Sequence, residues 1–161
     1  MQIFTQKSIL KPEEQAELKS LMIKEIEEAL DTSVTPYQSM GPQEKKHPDC
    51  IPLQKLCKKI EKVASELMGK PMLIINSWFV ICREDSDFKF HHHHDESMSV
   101  VYYLENCNNN GTLFETYFTK LQVLSEDNSA IFFESRQMHC TPHWNGQDRY
   151  SIAFDLDFKS K

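Results

Sequence analysis

Four consecutive histidines, His91 to His94, occupy the middle of the chain, with Asp95 directly behind them. Apolar and aromatic residues flank the run, so it is no appended purification tag. If the segment is extended, successive side chains alternate faces: His91 and His93 share one side, His92 and His94 the other. A solvated strand rim would also accommodate such rings. Four imidazoles in a row, however, gain nothing by packing and are costly to desolvate, whereas a neutral imidazole keeps a lone pair for a metal. Two on one face make half a metal site.

A non-heme iron site takes three ligands on one side of the ion, commonly two histidines and a carboxylate, leaving positions for cosubstrate and oxygen. The run offers two registers: His91 with His93, or His93 with Asp95 as a His-x-Asp dyad. His139 is the natural third ligand, while His143, between Pro142 and Trp144, suits a surface or supporting role better. Ten residues after His139, Arg149 and Ser151 form Arg-x-Ser and share one face of a strand. The planar arginine fork suits a carboxylate, and the serine hydroxyl adds a hydrogen bond. A surface salt bridge is the plainer role for Arg149. The apolar Ile152-Ala153-Phe154 beyond it marks a core strand, though, where a buried cation needs an anionic partner. Cys140 beside His139 makes a poor Cys/His nucleophile, because strand neighbours point to opposite faces.

The elements that must carry these residues divide the chain in two. Lys11 to Leu30 reads as a helix, with Pro12, Glu13 and Glu14 in its first turn and Leu18, Leu21, Met22, Ile26 and Leu30 at helical spacing. A second helix spans Pro52 to Met68, with Leu53, Leu56, Ile60, Val63, Ala64 and Leu67 on one side, and ends at Gly69 before Pro71. Between them, Asp31 to Asp49 is polar and proline-bearing, a loop expected over the active-site mouth; His47 within it has no expected metal role. From Met72 to Cys82 the residues are β-branched and aromatic, as in a long strand. Further strands are expected at Phe88–His93, Ser97–Leu104, Thr112–Phe118, Leu121–Leu124, Ala130–Glu134, near His139, and at Tyr150–Phe158. Turns at Asn108 to Gly111, Glu126 to Asn128 and Asn145-Gly146 separate them. Two helices followed by many short strands predict a mainly β sandwich or jelly roll with the helices packed on one sheet.

At 161 residues and 40% hydrophobic, the chain suits one domain, residues 1–161, with a helical prefix over 1–70 and a β core over 71–158. Eighteen basic residues against 24 acidic ones give a net charge of −6, and no basic cluster exceeds a pair, which argues against nucleic acid as a partner. No apolar stretch approaches the roughly 20 residues of a membrane helix, and Met1 to Leu10 lacks a signal pattern, so a cytoplasmic protein without a membrane partner is expected. Five cysteines, Cys50, Cys57, Cys82, Cys107 and Cys140, include no CxxC pair and read as reduced thiols.

The chain also resembles a known family. His91 and His93, followed by Ser99-Val100-Val101-Tyr102-Tyr103-Leu104, are similar to the His-x-His-Pro and Ser-Gly-Val-Tyr-Tyr motifs of iron and 2-oxoglutarate dependent oxygenases of marine bacteria and their phages, relatives of prolyl 4-hydroxylases. Asn76-Ser77-Trp78 resembles the family's Asn-x-Trp strand, and Phe132-Phe133-Glu134-Ser135 its Phe-Pro-Ser segment. His139, Pro142, Arg149, Ser151 and Phe154 resemble its closing His, Pro, Arg-x-Ser-x-x-Phe series. The likeness runs from Leu73 to Phe158. It departs at His94, Val100 and Glu134, which stand where proline, glycine and proline are expected, and no glycine precedes the histidines between Arg83 and Phe90. These changes bear on loop shape and substrate.

The resemblance implies a double-stranded β-helix (a cupin-like jelly roll). It implies Fe(II) on His91, His93 and His139, and the far carboxylate of the cosubstrate 2-oxoglutarate on Arg149 and Ser151, with Tyr103 and Asn76 also at the cosubstrate. The family itself has histidine where better-known relatives place aspartate, so the ligands are either three histidines or a set shifted to His93 and Asp95. Spacing to Tyr102-Tyr103 favours the former, with Asp95 then a carboxylate that orients a ligand. The implied activity is that of a dioxygenase (hydroxylase): a C–H bond of a small-molecule or peptidyl substrate, prolyl by analogy, is hydroxylated with release of succinate and CO2. Two other readings stand beside it. One is a three-histidine cupin-type metalloenzyme without 2-oxoglutarate, which has no need of Arg149 and Ser151. The other is a metal-binding or interaction module without catalysis, which the departures favour.

Overall fold

The computed structural model describes residues 2–28, 37–39, 41–83, 89–93, 96–106, 110–142 and 146–160. Its elements, in chain order, begin with strand β1 (Phe4–Lys7), helix α1 (Pro12–Glu27), strand β2 (Tyr37–Ser39), the one-turn helix α2 (Gln43–Lys46) and helix α3 (Ile51–Met68). Strands β3 (Met72–Cys82), β4 (Met98–Glu105), β5 (Thr112–Glu115), β6 (Lys120–Val123), β7 (Ser129–Glu134), β8 (His139–Cys140) and β9 (Arg149–Phe158) follow. In α1, Glu13 and Glu14 in the first turn and Lys24 in the last complement the helix dipole, while Leu18 and Met22 are fully buried. In α3, proline in the first turn and Gly69 at φ 64 after the last provide the start and the left-handed stop. Leu53, Leu56, Ile60, Val63 and Ala64 form its buried stripe, whereas Leu67, in the final turn, is 42% exposed.

The strands form two sheets, one ordered β1-β7-β4-β9-β3-β2 and one ordered β6-β5-β8. Strand periodicity sorts the large sheet into two faces. Phe79 and Ile81, Val100 and Tyr102, Ala130 and Phe132, and Ile152, Phe154 and Leu156 join the helices in the main core. Their neighbours point the other way: Tyr103, Ile131 and Phe133 meet Phe114 of the small sheet. Burying a Leu- or Phe-sized side chain contributes about 1.5–3 kcal/mol, so two apolar faces hold three layers together. The result is a double-stranded β-helix carrying helices on the outer face of its large sheet. That outcome agrees with the expected fold class.

Asn128 fastens the N-terminal segment to this body. It sits at φ 58, a left-handed conformation that asparagine tolerates better than most residues. Its Oδ1 accepts from Leu10 N–H and Tyr102 Oη–H, both at 2.9 Å, and its Nδ2 donates to Leu10 O at 2.7 Å.

Three sequence-based expectations change. The loop from Asp31 to Asp49 was expected over the active-site mouth; residues 31–36 and 40 lie outside the described residues, and 41–49 pack on the helix side of β3. Gln43 N–H donates to Ser77 Oγ at 2.7 Å, Ser77 Oγ donates to Glu44 Oε2 at 2.9 Å, and the His47 ring stacks on Phe79 at 5.9 Å. Composition marked a loop there, and composition carries no direction. Residues 89–93 form no strand beyond a single bridge at His91, because their partner is the two-residue β8. β5 ends at Glu115, where Thr116 turns the chain by accepting from Thr119 N–H at 3.1 Å. Strands β1 and β2 and helix α2 had no periodic signal long enough to predict. No helix among the described residues is long and apolar enough to cross a membrane. Cys50, Cys57, Cys82 and Cys140 are outside any disulfide; Cys107 lies outside the described residues.

Candidate metal centre

Two backbone attachments hold the histidine segment against β7 and β8. His91 and His139 exchange N–H···O bonds of 3.0 and 2.9 Å, and two residues on His93 N–H donates to Ser135 O at 2.8 Å. Their rings therefore gather at one place. Centroids lie 4.4 Å apart for His91 and His139, 5.4 Å for His91 and His93, and 5.5 Å for His93 and His139. One ring nitrogen from each falls within 4.8 Å of one from each of the others. The expected period-two relation of His91 and His93 thus survives without a strand.

The hydrogen bonds decide which nitrogen is free. His91 Nδ1 is 2.9 Å from Lys89 O and His139 Nδ1 is 2.7 Å from Gln137 O. A carbonyl only accepts, so both Nδ1 atoms carry the proton and both Nε2 atoms keep the lone pair. His93 Nδ1 lies 2.9 Å from each carboxylate oxygen of Asp155. Three Nε2 lone pairs on clustered rings are a donor set suited to a divalent first-row metal, and outer partners on Nδ1 are the usual accompaniment of such ligands. The ring of His93 is further held by Trp78, stacked at 5.8 Å and 13°.

The rings differ electrically. The hydrogen bond to Asp155 is the main cause that raises the His93 pKa above its ordinary value, with burial opposing. Burial pushes His139 down to about 4, and the adjacent His91 and His93 add to that, so its ring is neutral at neutral pH. A second grouping, His93 with Glu96 and Asp155, also lies within 4.8 Å.

Arg149 and Ser151 face the same cavity as the three histidines, which Thr112 and Asp155 also line. β9 presents Arg149, Ser151, Ala153 and Asp155 on one face, opposite the apolar Tyr150, Ile152, Phe154 and Leu156. The Arg149 side chain is 1% exposed, its guanidinium lies 4.9 Å over the Tyr103 ring, and its Nη1 donates to Gly111 O at 3.3 Å. The Tyr103 hydroxyl hydrogen-bonds that of Thr112. A buried guanidinium bordering a cavity presents planar donors matched to a carboxylate.

The structure therefore brings His91, His93, His139, Arg149 and Ser151 together. Tyr103 lies beneath Arg149 and does not line the cavity. Asn76 stays out of it as well, at a bulge of β3 opposite Asp155, where its Oδ1 accepts Ser77 N–H at 3.0 Å. His92 is half-buried and does not line the cavity. His94, Asp95 and His143 lie outside the described residues. Sequence reasoning missed Asp155, Thr112 and Ser99. For Asp155 the signal was present: it continues the period-two series from Arg149 and Ser151.

No protein-family model matches the chain, and no curated protein matches it in sequence. Its backbone is similar to solved structures. HygX from Streptomyces hygroscopicus with nickel and 2-oxoglutarate bound aligns at TM-score 0.74 and 10% identity, over 98% of this chain and 83% of that one. A Pseudomonas putida prolyl-4-hydroxylase aligns at 0.72 and 12%, over 98% and 93%. An oxidoreductase of the 2OG-Fe(II) oxygenase family from Burkholderia pseudomallei aligns at 0.72 and 11%, over 96% and 84%. At such identities the likeness establishes a shared fold.

Proposed function

We propose that this chain is an Fe(II)- and 2-oxoglutarate-dependent dioxygenase that hydroxylates a C–H bond. His91, His93 and His139 hold the metal, and Arg149 with Ser151 holds the far carboxylate of the cosubstrate. The observation that carries the proposal is one cavity bordered both by three imidazoles whose Nδ1 atoms are engaged and by a buried guanidinium. A metalloenzyme without 2-oxoglutarate would have no use for a guanidinium bordering the metal cavity, whose planar donors match a carboxylate. The shared fold supports the same reading, since HygX was solved with nickel and 2-oxoglutarate bound.

Bound there, Fe(II) would activate O2, the oxidant, whose four electrons come two from the decarboxylation of 2-oxoglutarate to succinate and CO2 and two from the C–H bond that is hydroxylated. The chain supplies placement. The Nε2 atoms of His91, His93 and His139 would hold the metal, Arg149 would fix the cosubstrate through its distal charge, and the layer of Phe114, Ile131 and Phe133 excludes water beside His139. The substrate class we favour is a small molecule or a peptidyl residue, prolyl by analogy with the Pseudomonas neighbour.

The test is addition of Fe(II) and 2-oxoglutarate without oxygen. A visible charge-transfer band is expected in the parent and absent in His139→Ala, and absent or much weakened in Arg149→Ala at the same cosubstrate concentration. A parent protein without the band overturns the proposal. With oxygen admitted, succinate formation then separates an enzyme from a binding module.

A further inference from the structure

We propose that Asp155 is a positioning residue that supplies, through His93, the negative charge an aspartate ligand would otherwise bring directly to the metal. The inference rests on the three-histidine reading above. Two of the three rings turn Nδ1 to neutral backbone carbonyls, of Lys89 and Gln137; His93 alone turns it to a carboxylate, with both oxygens of Asp155 at 2.9 Å.

That carboxylate is built in. Asp155 is 3% exposed, and Ser99 Oγ donates to its Oδ1 at 3.1 Å. Ser99 Oγ is in turn 2.9 Å from Ser135 Oγ, and the Ser135 carbonyl accepts His93 N–H at 2.8 Å. Ser135 thus reaches His93 twice, once through its backbone and once through Ser99 and Asp155. A carboxylate on Nδ1–H raises the basicity of the same ring at Nε2 and fixes its tautomer and tilt. Trp78, stacked on the ring, leaves little rotation free.

The charge count explains the arrangement. Two histidines and a carboxylate give a donor set of −1, and three neutral histidines give zero. Asp155, one hydrogen bond behind His93, returns the assembly to −1. A shift of the negative charge outward also frees a position on the inner ring of ligands for a third neutral donor.

The test uses Co(II) affinity, read by competition with a chelator, together with the wavelength of the anaerobic Fe(II)–2-oxoglutarate band at saturating metal. A parent protein that binds no metal defeats the three-histidine reading and this inference with it. Given parent binding, Asp155→Asn keeps an acceptor of the same shape without the charge. It should weaken Co(II) binding about 10- to 100-fold and shift the band, with the unfolding midpoint of the metal-free protein unchanged. A merely structural Asp155 would lower that midpoint and leave the wavelength where it was. Affinity within twofold of the parent, or an unshifted band, overturns the inference. Ser99→Ala retains the charge but loosens it, so a smaller loss of affinity is expected; should Asp155→Asn fail to fold, unchanged affinity in Ser99→Ala overturns it instead.

Discussion

The guanidinium of Arg149 lies 4.9 Å over the ring of Tyr103, a residue that itself never reaches the cavity. The negative face of the ring supports the cation from below, so the fork is held in place before any anion arrives. Arg149→Ala should weaken 2-oxoglutarate binding to the metal-loaded protein by about 2–3 kcal/mol, the scale of hydrogen bonds to charged groups. Metal affinity should stay unchanged. Arg149→Lys, which keeps charge but loses the fork, should recover only part of the loss. Calorimetric titration with 2-oxoglutarate checks all three, and equal affinities for parent and Arg149→Ala would refute the carboxylate role.

Gly111 offers its carbonyl to Arg149, and a Cβ at this position would stand 1.5 Å from Val123 O. Backbone of β6 cannot yield to that contact as a side chain would. Gly111→Ala should therefore displace the start of β5 and destabilise the fold by about 2–4 kcal/mol, in the range of substitutions that force the backbone to move. Urea denaturation measures the first effect. The accompanying loss of 2-oxoglutarate affinity reports the displaced carbonyl.

Asn128 combines a left-handed backbone with three side-chain hydrogen bonds to Leu10 and Tyr102. Asn128→Ala should cost about 2–4 kcal/mol, since the strained φ and the orphaned polar groups both count against it. Asn128→Gly relieves only the backbone part and should fall between the parent and Asn128→Ala. Identical midpoints for Asn128→Gly and the parent would show that the side chain contributes nothing.

Burial raises the pKa of Cys57 and of Cys82, in the latter against the lowering effect of Arg149. Half-buried Cys50 is raised by the same cause. Thiolate is the reactive form, and reagent must reach it. In the native protein iodoacetamide at pH 8 should label Cys50 well before Cys57 or Cys82, which should react only on unfolding. Peptide mass spectrometry follows each site, and early labelling of Cys82 would contradict its buried place beside Arg149.

The sequence alone carried the periodicities, and through them most of the fold. Helical spacing located α1 and α3, and a run of β-branched and aromatic residues located β3 to the residue, with β4, β7 and β9 within one or two residues at either end. These patterns are legible because a side chain's face depends on its position in a regular backbone and on nothing further away. The same rule put His91 with His93, and Arg149 with Ser151. It would also have placed Asp155 beside them, had the series been followed to its end.

What the tertiary structure alone decided is which faces meet. The bridge from His91 to His139 spans 48 positions and the contact from His93 to Asp155 spans 62, and no local pattern encodes either pairing. The direction taken by residues 41–49, away from the cavity, was equally invisible, because polar composition says that a segment is irregular without saying where it packs. So was the state of the rings. A lone pair on Nε2 follows from what each Nδ1 donates to, and those acceptors, two backbone carbonyls and one carboxylate, come into place only when the sheets close.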